Sequence, residues 1–225
     1  MFHVRALKTR PAQETVAAFK DVGSATIHES AGRIGAVDPK IKSLAKGVRL
    51  LGTAFTVQCS AKDNLMLHKA LQIAQEGDVL VVTTDGYLDA GYLGGLMATS
   101  AMARKLGGLA IEGCIRDSEE ILDMGFPVFC TGTCIYGTTK RGLGLINHPT
   151  VFGGVAVHPG DLIAGDDDGL VVVPQADLDT VLSASRERTE KEEGKTVLLS
   201  SGITGVELNG LDKVFTSLGL KEEQP

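Results

Sequence analysis

Two short segments of the 225-residue chain carry residue types that together could bind a small anion. The first is the run Gly-Gly-Leu-Met at residues 94–97, and the second is Arg116-Asp117, which begins 22 residues after Gly94. Each segment is predicted to open a helix at the carboxyl end of a parallel strand, where α/β sheets bind their ligands. Backbone amides in the first turn of a helix donate hydrogen bonds and carry partial positive charge. Arg116 would add a planar pair of donors that matches a carboxylate.

Asp117 adds a hard oxygen ligand beside this predicted anion site. A single carboxylate is a poor zinc site, because zinc takes several nitrogen or sulfur ligands, but it suits Mg²⁺ or Mn²⁺ that is held partly by water. The alternative interpretation is structural: Asp117 caps a helix, and Arg116 is a surface charge paired with Glu119 or Glu120. The pattern of residues alone leaves both interpretations open.

The centre of the chain predicts the parallel sheet that would bring the two segments together. Short apolar strands are predicted at 79–83, 109–112 and 128–131, because these runs lie between helical patterns and bury both faces. The intervening helices are predicted at 96–106 and 118–124. Strands and helices that alternate in this way form a parallel βαβαβ unit.

The flanking segments predict further elements around this unit. Additional helices are predicted at 11–20, 24–32, 63–76 and about 177–199, and a strand is predicted at 48–58. From residue 153 the pattern changes to short strands joined by Gly and Asp turns, which predicts antiparallel hairpins. The acidic run at 166–168 is therefore interpreted as a turn rather than as a metal cluster. The glycine-rich segment after residue 200 is expected to be a tail that lies on the body of the protein or on a neighbour.

Composition and charge exclude several classes of function. Hydrophobic residues make up 43% of the chain and charged residues 22%, which is typical of a globular protein and excludes wholesale disorder. The formal net charge of −6 provides no basic field for phosphate backbones, so nucleic acid is not an expected partner. The apolar runs are too short for a membrane span, no signal peptide is recognised, and four scattered cysteines do not form a disulfide framework. We therefore expect a cytoplasmic protein with reduced thiols and no membrane partner.

Histidine and cysteine side chains are not assigned to the predicted site. His28, His68 and His148 are scattered along the chain, and Cys130 and Cys134 lack a second pair of ligands at zinc-binding spacing. We therefore predict neither a zinc site nor a histidine base.

One long stretch of the sequence resembles a known family. The run GGLMATSAMARKLGGLAIEGCIRDSEEI is followed by FPVF and then by GGVAVHPGDLIAGDDDGLVVVP. These segments resemble the RraA-like family, which includes the 4-hydroxy-4-methyl-2-oxoglutarate aldolases, also active on 4-carboxy-4-hydroxy-2-oxoadipate, and the regulator of ribonuclease activity A. The resemblance covers about residues 11–210. Its most specific features are the spacing from Gly94 to Arg116 and the motif GDxIxxDxDG.

The resemblance implies an α/β fold of the β/β/α swivelling type, in which residues 1–225 form a single domain with a C-terminal helix and tail. It also implies a homo-oligomer, a trimer or a dimer of trimers, that binds a divalent cation, Mg²⁺ or Mn²⁺, and a small 2-oxo acid. The implied catalytic residues are Arg116 and Asp117, and Asp117 is also the implied metal ligand. The implied substrate-binding residues are Gly94, Gly95, Leu96, Met97 and Arg116.

The reaction implied by the resemblance is a class II retro-aldol cleavage of a 4-hydroxy-2-oxo diacid to pyruvate, or the decarboxylation of oxaloacetate. Both reactions leave an enolate. Positive charge from a divalent cation and from Arg116 would stabilise the negative charge that develops on it. No lysine Schiff base is needed for this chemistry.

The chain departs from the aldolases of this family at two positions. Gly95 stands where they carry an acidic residue, and Ile203 aligns with a glutamate that they take from a neighbouring chain. A glycine cannot orient or deprotonate a water molecule, so the resemblance does not identify the group that transfers protons. Asp85, Asp89 and Glu112 lie near predicted strand ends and are candidate substitutes, although each is explained more simply as a turn residue or a solvated carboxylate.

Two alternatives to the lyase remain open. The first is a non-enzymatic RraA-like protein that binds and regulates a ribonuclease, which the departures at Gly95 and Ile203 favour. The second is a related enzyme that acts on another 2-oxo acid. Arg116 and Asp117 favour an enzyme over the regulator.

Overall fold

The strands predicted in the middle of the chain form the centre of a largely parallel sheet. The structure, a computed structural model, describes residues 2–221 and 223. Its strands are β1 (His3–Val4), β2 (Lys42–Ser43), β3 (Leu50–Gln58), β4 (Asp78–Thr83), β5 (Gly108–Ile115), β6 (Val128–Thr133), β7 (Leu145–Ile146), β8 (Thr150–Phe152), β9 (Val155–Val157), β10 (Leu162–Asp166) and β11 (Gly169–Val173). Its helices are α1 (Gln13–Ala17), α2 (Ser24–Ser30), α3 (Leu65–Ile73), α4 (Gly95–Ala103), α5 (Ser118–Met124), α6 (Leu178–Ser200), α7 (Gly205–Asn209) and α8 (Asp212–Ser217).

The order of the strands places the two segments of interest on neighbouring strands. The main sheet has the order β1-β7-β3-β4-β5-β6-β2, and the β10–β11 hairpin joins it at β3. Strands β3 to β6 run parallel, whereas β7 and β10 are antiparallel to β3 and β2 is antiparallel to β6. The run β4-α4-β5-α5-β6 is the predicted parallel βαβαβ unit, and β8–β9 and β10–β11 are antiparallel hairpins. The predicted α/β fold class is therefore confirmed.

Both faces of the sheet are buried, which explains why its strands are continuous apolar runs. On one face, Phe55 and Leu80 belong to a core that includes side chains of α3, α4 and α5. On the other face, Ala54 and Val79 belong to a core with Phe152 from the β8–β9 hairpin. A third core joins α2 and the start of α6 to the β10–β11 hairpin. The ends of β4 and β5 are thus held by packing on both sides.

Two element boundaries beside the site differ from the predictions. Helix α3 ends at Ile73 instead of residue 76, because Ala74 is extended and Gln75 donates its N–H to the side chain of Asp78. Strand β5 continues to Ile115 instead of ending at 112, because Cys114 and its neighbour pair with the end of β6. The longer strand carries the chain directly to Arg116. Helix α1 is also shorter than the predicted 11–20.

The C-terminal part of the chain consists of one long helix followed by two short ones. Helix α6 matches the prediction at about 177–199, and its buried residues, Leu178, Val181, Leu182 and Ser185, lie in its first turns. After α6 the chain forms the short helices α7 and α8, and Thr204 and Glu207 form a reciprocal capping box at the start of α7. Among the residues that the structure describes, no helix has the length and apolar character needed to cross a membrane.

Candidate functional site

Two loops meet at the carboxyl ends of β4 and β5. After β4 the chain returns alongside the end of β5, where the N–H of Tyr92 donates to the carbonyl of Cys114 (2.9 Å). One residue further along each segment, the N–H of Arg116 donates to the carbonyl of Leu93 (2.9 Å). The residues that follow open α4 and α5. This short parallel pairing therefore places the starts of the two helices side by side.

Asp117 links the two helix starts through its side chain. Its φ of 56° lies in the left-handed region, which aspartate tolerates better than most residues. Asp117 occupies the N-cap position of α5 but makes no capping hydrogen bond there; its Oδ2 accepts the backbone N–H of Gly95 at the start of α4 (3.1 Å). Nε of Arg116 lies 3.6 Å from the same oxygen. The structural interpretation is therefore correct that Asp117 stands at a helix N-cap position. Its side chain, however, accepts from the neighbouring helix, and Arg116 pairs with Asp117 instead of Glu119 or Glu120.

Gly94 and Gly95 allow two carboxylates to approach the start of α4. A Cβ at residue 94 would lie 2.5 Å from Oδ2 of Asp117. A Cβ at residue 95 would collide with the carboxylate of Glu120, with Oε1 at 2.6 Å. Gly94 has an ordinary extended backbone, with φ of −131°, so close approach rather than backbone freedom requires glycine here. The partial positive charge of the helix N-terminus favours both carboxylates.

The backbone amides at the start of α4 are only partly available to a ligand. The N–H of Gly95 is bound to Asp117, and the N–H of Met97 donates to the carbonyl of Gly94 (3.0 Å). Within residues 2–221 and 223, the N–H groups of Gly94 and Leu96 have no protein acceptor. These two groups are therefore the donors that the helix can offer to an anion.

A cavity of about 290 Å³ lies against these groups. From the predicted site, it is lined by Gly94, Leu96, Met97, Arg116 and Asp117. Gly95 does not line it, because this residue packs against Glu120. Leu96 is 87% exposed and lies at the rim. The volume suits a small organic acid rather than a nucleotide.

Polar side chains that the sequence did not mark also line the cavity, among them Asn64, His68 and Lys140. In the sequence, Asn64 is indistinguishable from an ordinary helix cap, and His68 stands among polar neighbours on a predicted helix. Lys140 lies in the loop between β6 and β7, for which no element is predicted. No local pattern connects these residues to Arg116, since they meet it only through the fold.

The side chain of Asn64, a residue that lines the cavity, has one polar atom without a hydrogen-bond partner. Asn64 is 4% exposed, and its Nδ2 donates to the carbonyl of Tyr92 (2.8 Å). In the described part of the chain, its Oδ1 is buried and accepts no hydrogen bond. A buried amide oxygen without a donor is costly, so Asn64 is a polar residue of the cavity wall whose hydrogen bonding is incomplete.

Asp63 fixes the loop that carries Lys140. One carboxylate oxygen of Asp63 accepts hydrogen bonds from Oγ1 of Thr139 and from the N–H of Arg141, both at 2.6 Å. The other oxygen accepts the N–H of Leu65 at the start of α3 (2.9 Å). Burial by itself would raise the pKa of Asp63, but these hydrogen bonds outweigh it, so the pKa lies below its usual value. Asp63 thus stays charged and ties the loop to α3.

The positive charge in the cavity comes from Arg116 and Lys140 rather than from His68. Burial lowers the pKa of His68, and the nearby charge of Lys140 lowers it further. The imidazole is therefore neutral near neutral pH, where it can donate one hydrogen bond and accept another.

The carboxylates considered as substitutes at position 95 lie elsewhere. Glu112 accepts a hydrogen bond from the N–H of Gly153 (3.4 Å), and Asp85 and Asp89 are exposed; none of the three lines the cavity. Ile203, which lies between α6 and α7, does not line it either. The acidic run at 166–168 forms the turn of the β10–β11 hairpin, as predicted.

Comparisons with known proteins show what this chain is similar to. Residues 17–172 match the family profile described as RraA-like, Aldolase/RraA. Over 188 residues, the chain is 31% identical to the "Putative 4-hydroxy-4-methyl-2-oxoglutarate aldolase" of Halalkalibacterium halodurans. That alignment covers 84% of this chain and 90% of the relative.

Two solved structures share the fold over most of their length. One is an uncharacterized protein from Pseudomonas syringae pv. tomato, with a TM-score of 0.79, 28% identity, and coverage of 87% of this chain and 96% of that one. The other is Streptomyces coelicolor RraAS2, described as an unusual member of the RNase ES inhibitor RraA protein family. Its TM-score is 0.75 and its identity 30%, with coverage of 84% of this chain and 98% of that one.

Proposed function

The chain belongs to the RraA-like family, and from that premise we propose that it is a divalent-metal-dependent lyase that releases pyruvate. The proposed reaction is the class II retro-aldol cleavage of a 4-hydroxy-2-oxo diacid, the decarboxylation of oxaloacetate, or both. The observation that carries the proposal is the small cavity where Arg116, Asp117 and the start of α4 meet. The name of the H. halodurans relative supports the same class of reaction.

The charges around the cavity favour a small diacid as the substrate. The chain has a formal net charge of −6, yet Arg116 and Lys140 both line this cavity. One carboxylate of the substrate would pair with the guanidinium of Arg116 and with the free N–H groups at the start of α4. The second carboxylate would be attracted by Lys140.

Asp117 would hold the divalent cation. Its side chain is 43% exposed and retains lone pairs beyond its hydrogen bond to Gly95. Across the described ranges, no group of three His, Cys, Asp or Glu side chains is placed to share a metal. One carboxylate completed by water suits Mg²⁺ or Mn²⁺ and does not suit zinc. When bound, the cation supplies positive charge at the keto oxygen, where negative charge develops as the enolate forms.

We also propose that residues 1–225 form one RraA-like domain, which assembles as a trimer or a dimer of trimers in the cytoplasm. The end of α6 and the following helices expose large apolar side chains, namely Val197, Leu199, Val214, Phe215 and Leu218. An apolar surface of this kind favours association with another copy. Size-exclusion chromatography with light scattering tests the assembly, and a monomer at micromolar concentration would contradict it.

A pyruvate-release assay tests the lyase. The protein is given oxaloacetate or a 4-hydroxy-2-oxo diacid, with Mg²⁺, with Mn²⁺ and with a chelator. We expect metal-dependent pyruvate release, and a kcat/KM lower by roughly 100-fold or more for Arg116→Ala and Asp117→Ala, because each removes charge where the transition state needs it. Arg186→Ala, which removes an exposed arginine from α6, is the control and should keep the wild-type value. Absence of pyruvate from both substrates would contradict the lyase.

A ribonuclease regulator is the second candidate, and exposed side chains beside the cavity favour it. Leu96, Ile135 and Tyr136 are 87%, 88% and 65% exposed, and a protein partner would cover them. The description of S. coelicolor RraAS2 supports this class. If no pyruvate forms, a pull-down with a purified ribonuclease follows, in which Leu96→Asp should lose the binding that wild type shows. A panel of other 2-oxo acids in the same pyruvate assay tests the third possibility, an enzyme with another substrate.

A further inference from the structure

We propose that His3 and His148 together bind a divalent metal ion that prefers nitrogen ligands, Zn²⁺ or Cu²⁺, and that this ion clips strand β1 to the chain after β7. The two residues are 145 positions apart, yet Nε2 of His148 lies 3.2 Å from Nδ1 of His3. Their rings meet edge to face, with centroids 5.2 Å apart. Neither residue lines the cavity that contains Arg116, so the inference does not depend on the proposed lyase.

Backbone hydrogen bonds hold both histidines in place. His3 belongs to β1 and donates its N–H to the carbonyl of Gly144 (3.3 Å). The carbonyl of His148 accepts a hydrogen bond from Oγ1 of Thr56 in β3 (2.6 Å), and the N–H of the preceding Asn147 donates to the carbonyl of Thr56 (2.9 Å). Because the sheet already fixes both backbones, an ion that binds the pair has little further ordering to impose.

The separation of the two ring nitrogens matches the spacing of two ligands on one metal ion. Zinc binds imidazole nitrogen at about 2.0–2.1 Å, so two nitrogens 3.2 Å apart would subtend an angle of about 100° at the ion, close to the tetrahedral value that zinc prefers. The Cβ–Cγ torsion of histidine is soft, so a rotation of each ring can turn both lone pairs to one point. In the described part of the chain the two side chains hydrogen-bond only to each other, so no other hydrogen bond opposes this rotation.

The surroundings of the pair select the kind of ion. His3 lines a crevice of about 690 Å³ together with Arg5, Lys8 and His158, and no aspartate or glutamate of the described chain lines it. Without a carboxylate, the crevice is a poor site for Mg²⁺ and Ca²⁺, which require oxygen ligands. Zn²⁺ and Cu²⁺ bind imidazole nitrogen strongly enough to tolerate the positive charges nearby. Because His3 is exposed, water can complete the coordination of the ion.

The bound ion would fasten a strand that has few other contacts. Strand β1 has only two residues, and both are exposed, so backbone hydrogen bonds to β7 provide most of its attachment. An ion held by His3 and His148 adds a cross-link between segments that are distant in the sequence. The unfolded chain does not hold the two histidines together, so the ion stabilises the native state and the attachment of β1.

Isothermal titration calorimetry tests the site, with the full chain free of any histidine tag and with excess Mg²⁺ to occupy oxygen-ligand sites such as Asp117. We expect Zn²⁺ to bind, Cu²⁺ to bind more tightly, and the Zn²⁺ affinity to fall by at least about 10-fold in His3→Ala and in His148→Ala. His158→Ala is the matched control, because it removes an exposed histidine of the same crevice that lies near Asp161 instead of the pair. This control should stay within about threefold of the wild-type affinity.

Hydrogen exchange at the amide of Arg5 separates an ion that bridges the pair from one that binds a single histidine. This N–H donates to the carbonyl of Ile146 across the β1–β7 pair (3.0 Å). We expect Zn²⁺ to slow its exchange by at least about 10-fold in the wild-type protein and to leave it unchanged in His148→Ala. The proposal is overturned if His148→Ala binds Zn²⁺ as tightly as wild type, whatever His3→Ala does. It is also overturned if Zn²⁺ binds to the wild-type protein without slowing exchange at Arg5.

Discussion

Gly94→Ala is a small change that should disable the site and leave the fold intact. Gly94 has φ of −131° and ψ of 179°, which alanine adopts without strain. The added Cβ would lie 2.5 Å from Oδ2 of Asp117 and 3.1 Å from Nε of Arg116. The clash therefore falls on the two side chains that the proposed function needs, and on no part of the core.

The size of the effect follows from these distances. Real Cβ contacts essentially never fall below 3.0 Å, so the carboxylate of Asp117 must retreat from 2.5 Å by at least 0.5 Å. A misplacement of about 1 Å at a reacting centre can cost about 100-fold in rate, so we expect kcat/KM to fall roughly 10- to 100-fold. Asp117 would also lose its hydrogen bond to the N–H of Gly95. Because the side chain of Asp117 is 43% exposed, this loss should lower the free energy of unfolding by only about 1 kcal/mol.

The measurement combines the pyruvate-release assay with urea unfolding. Gly137→Ala is the matched control, because its Cβ would meet the same arginine at an ordinary distance, 3.7 Å from Nη1 of Arg116. We expect this control to remain within about threefold of wild-type kcat/KM, since it displaces nothing. Wild-type kcat/KM in a folded Gly94→Ala protein would refute the assigned site.

Three further predictions concern stability and ionisation. Arg10→Ala should lower the free energy of unfolding, measured by urea titration, by about 3 kcal/mol. The reason is that the fully buried carboxylate of Asp78 loses the two 2.9 Å hydrogen bonds that Arg10 donates to it. A loss below about 1 kcal/mol would contradict this prediction. The pKa of Asp63 is lowered in the folded protein, so its ionisation stabilises the fold above the ordinary carboxyl pKa, and this stabilisation is lost as the pH falls through the folded pKa. The stability difference between wild type and Asp63→Asn should accordingly be largest near neutral pH and shrink in acid. The NMR titration of His68 should have its midpoint below about 6.5, and Lys140→Met should raise it; an unchanged midpoint in that variant would show that the lysine charge does not reach the ring.

The elements with a local signal could be predicted from the sequence. Strands β4 and β6 are short apolar runs between turns, and α6 is a long amphipathic pattern, so their types were correct and their ends were nearly so. The turn at 166–168 was also predicted, because Gly and Asp favour turns wherever they occur. Boundaries failed where a distant partner decides them, as at Ile115, which stays in β5 only because it pairs with β6.

The candidate site was predictable only in part. The resemblance and the spacing pointed to Gly94, Arg116 and Asp117, and the structure brings these residues to one cavity. The sequence suggests Asp85, Asp89 and Glu112, near strand ends, as replacements for the acidic residue missing at position 95. In the structure, the carboxylate that occupies the space beside Gly95 belongs to Glu120, on the next helix of the unit. That contact depends on the distance between α4 and α5, which no spacing in the sequence expresses.

The sequence by itself determined the parallel βαβαβ unit, the hairpins and the family, since periodicity, turn residues and motifs act over a few neighbouring residues. The tertiary structure alone decided that Asp117 caps α4 instead of its own helix, and that Asn64 and Lys140 line the same cavity as Arg116. The physical reason is that these contacts join residues from different loops. Strand order and register set their positions, and those emerge only when the whole chain is packed.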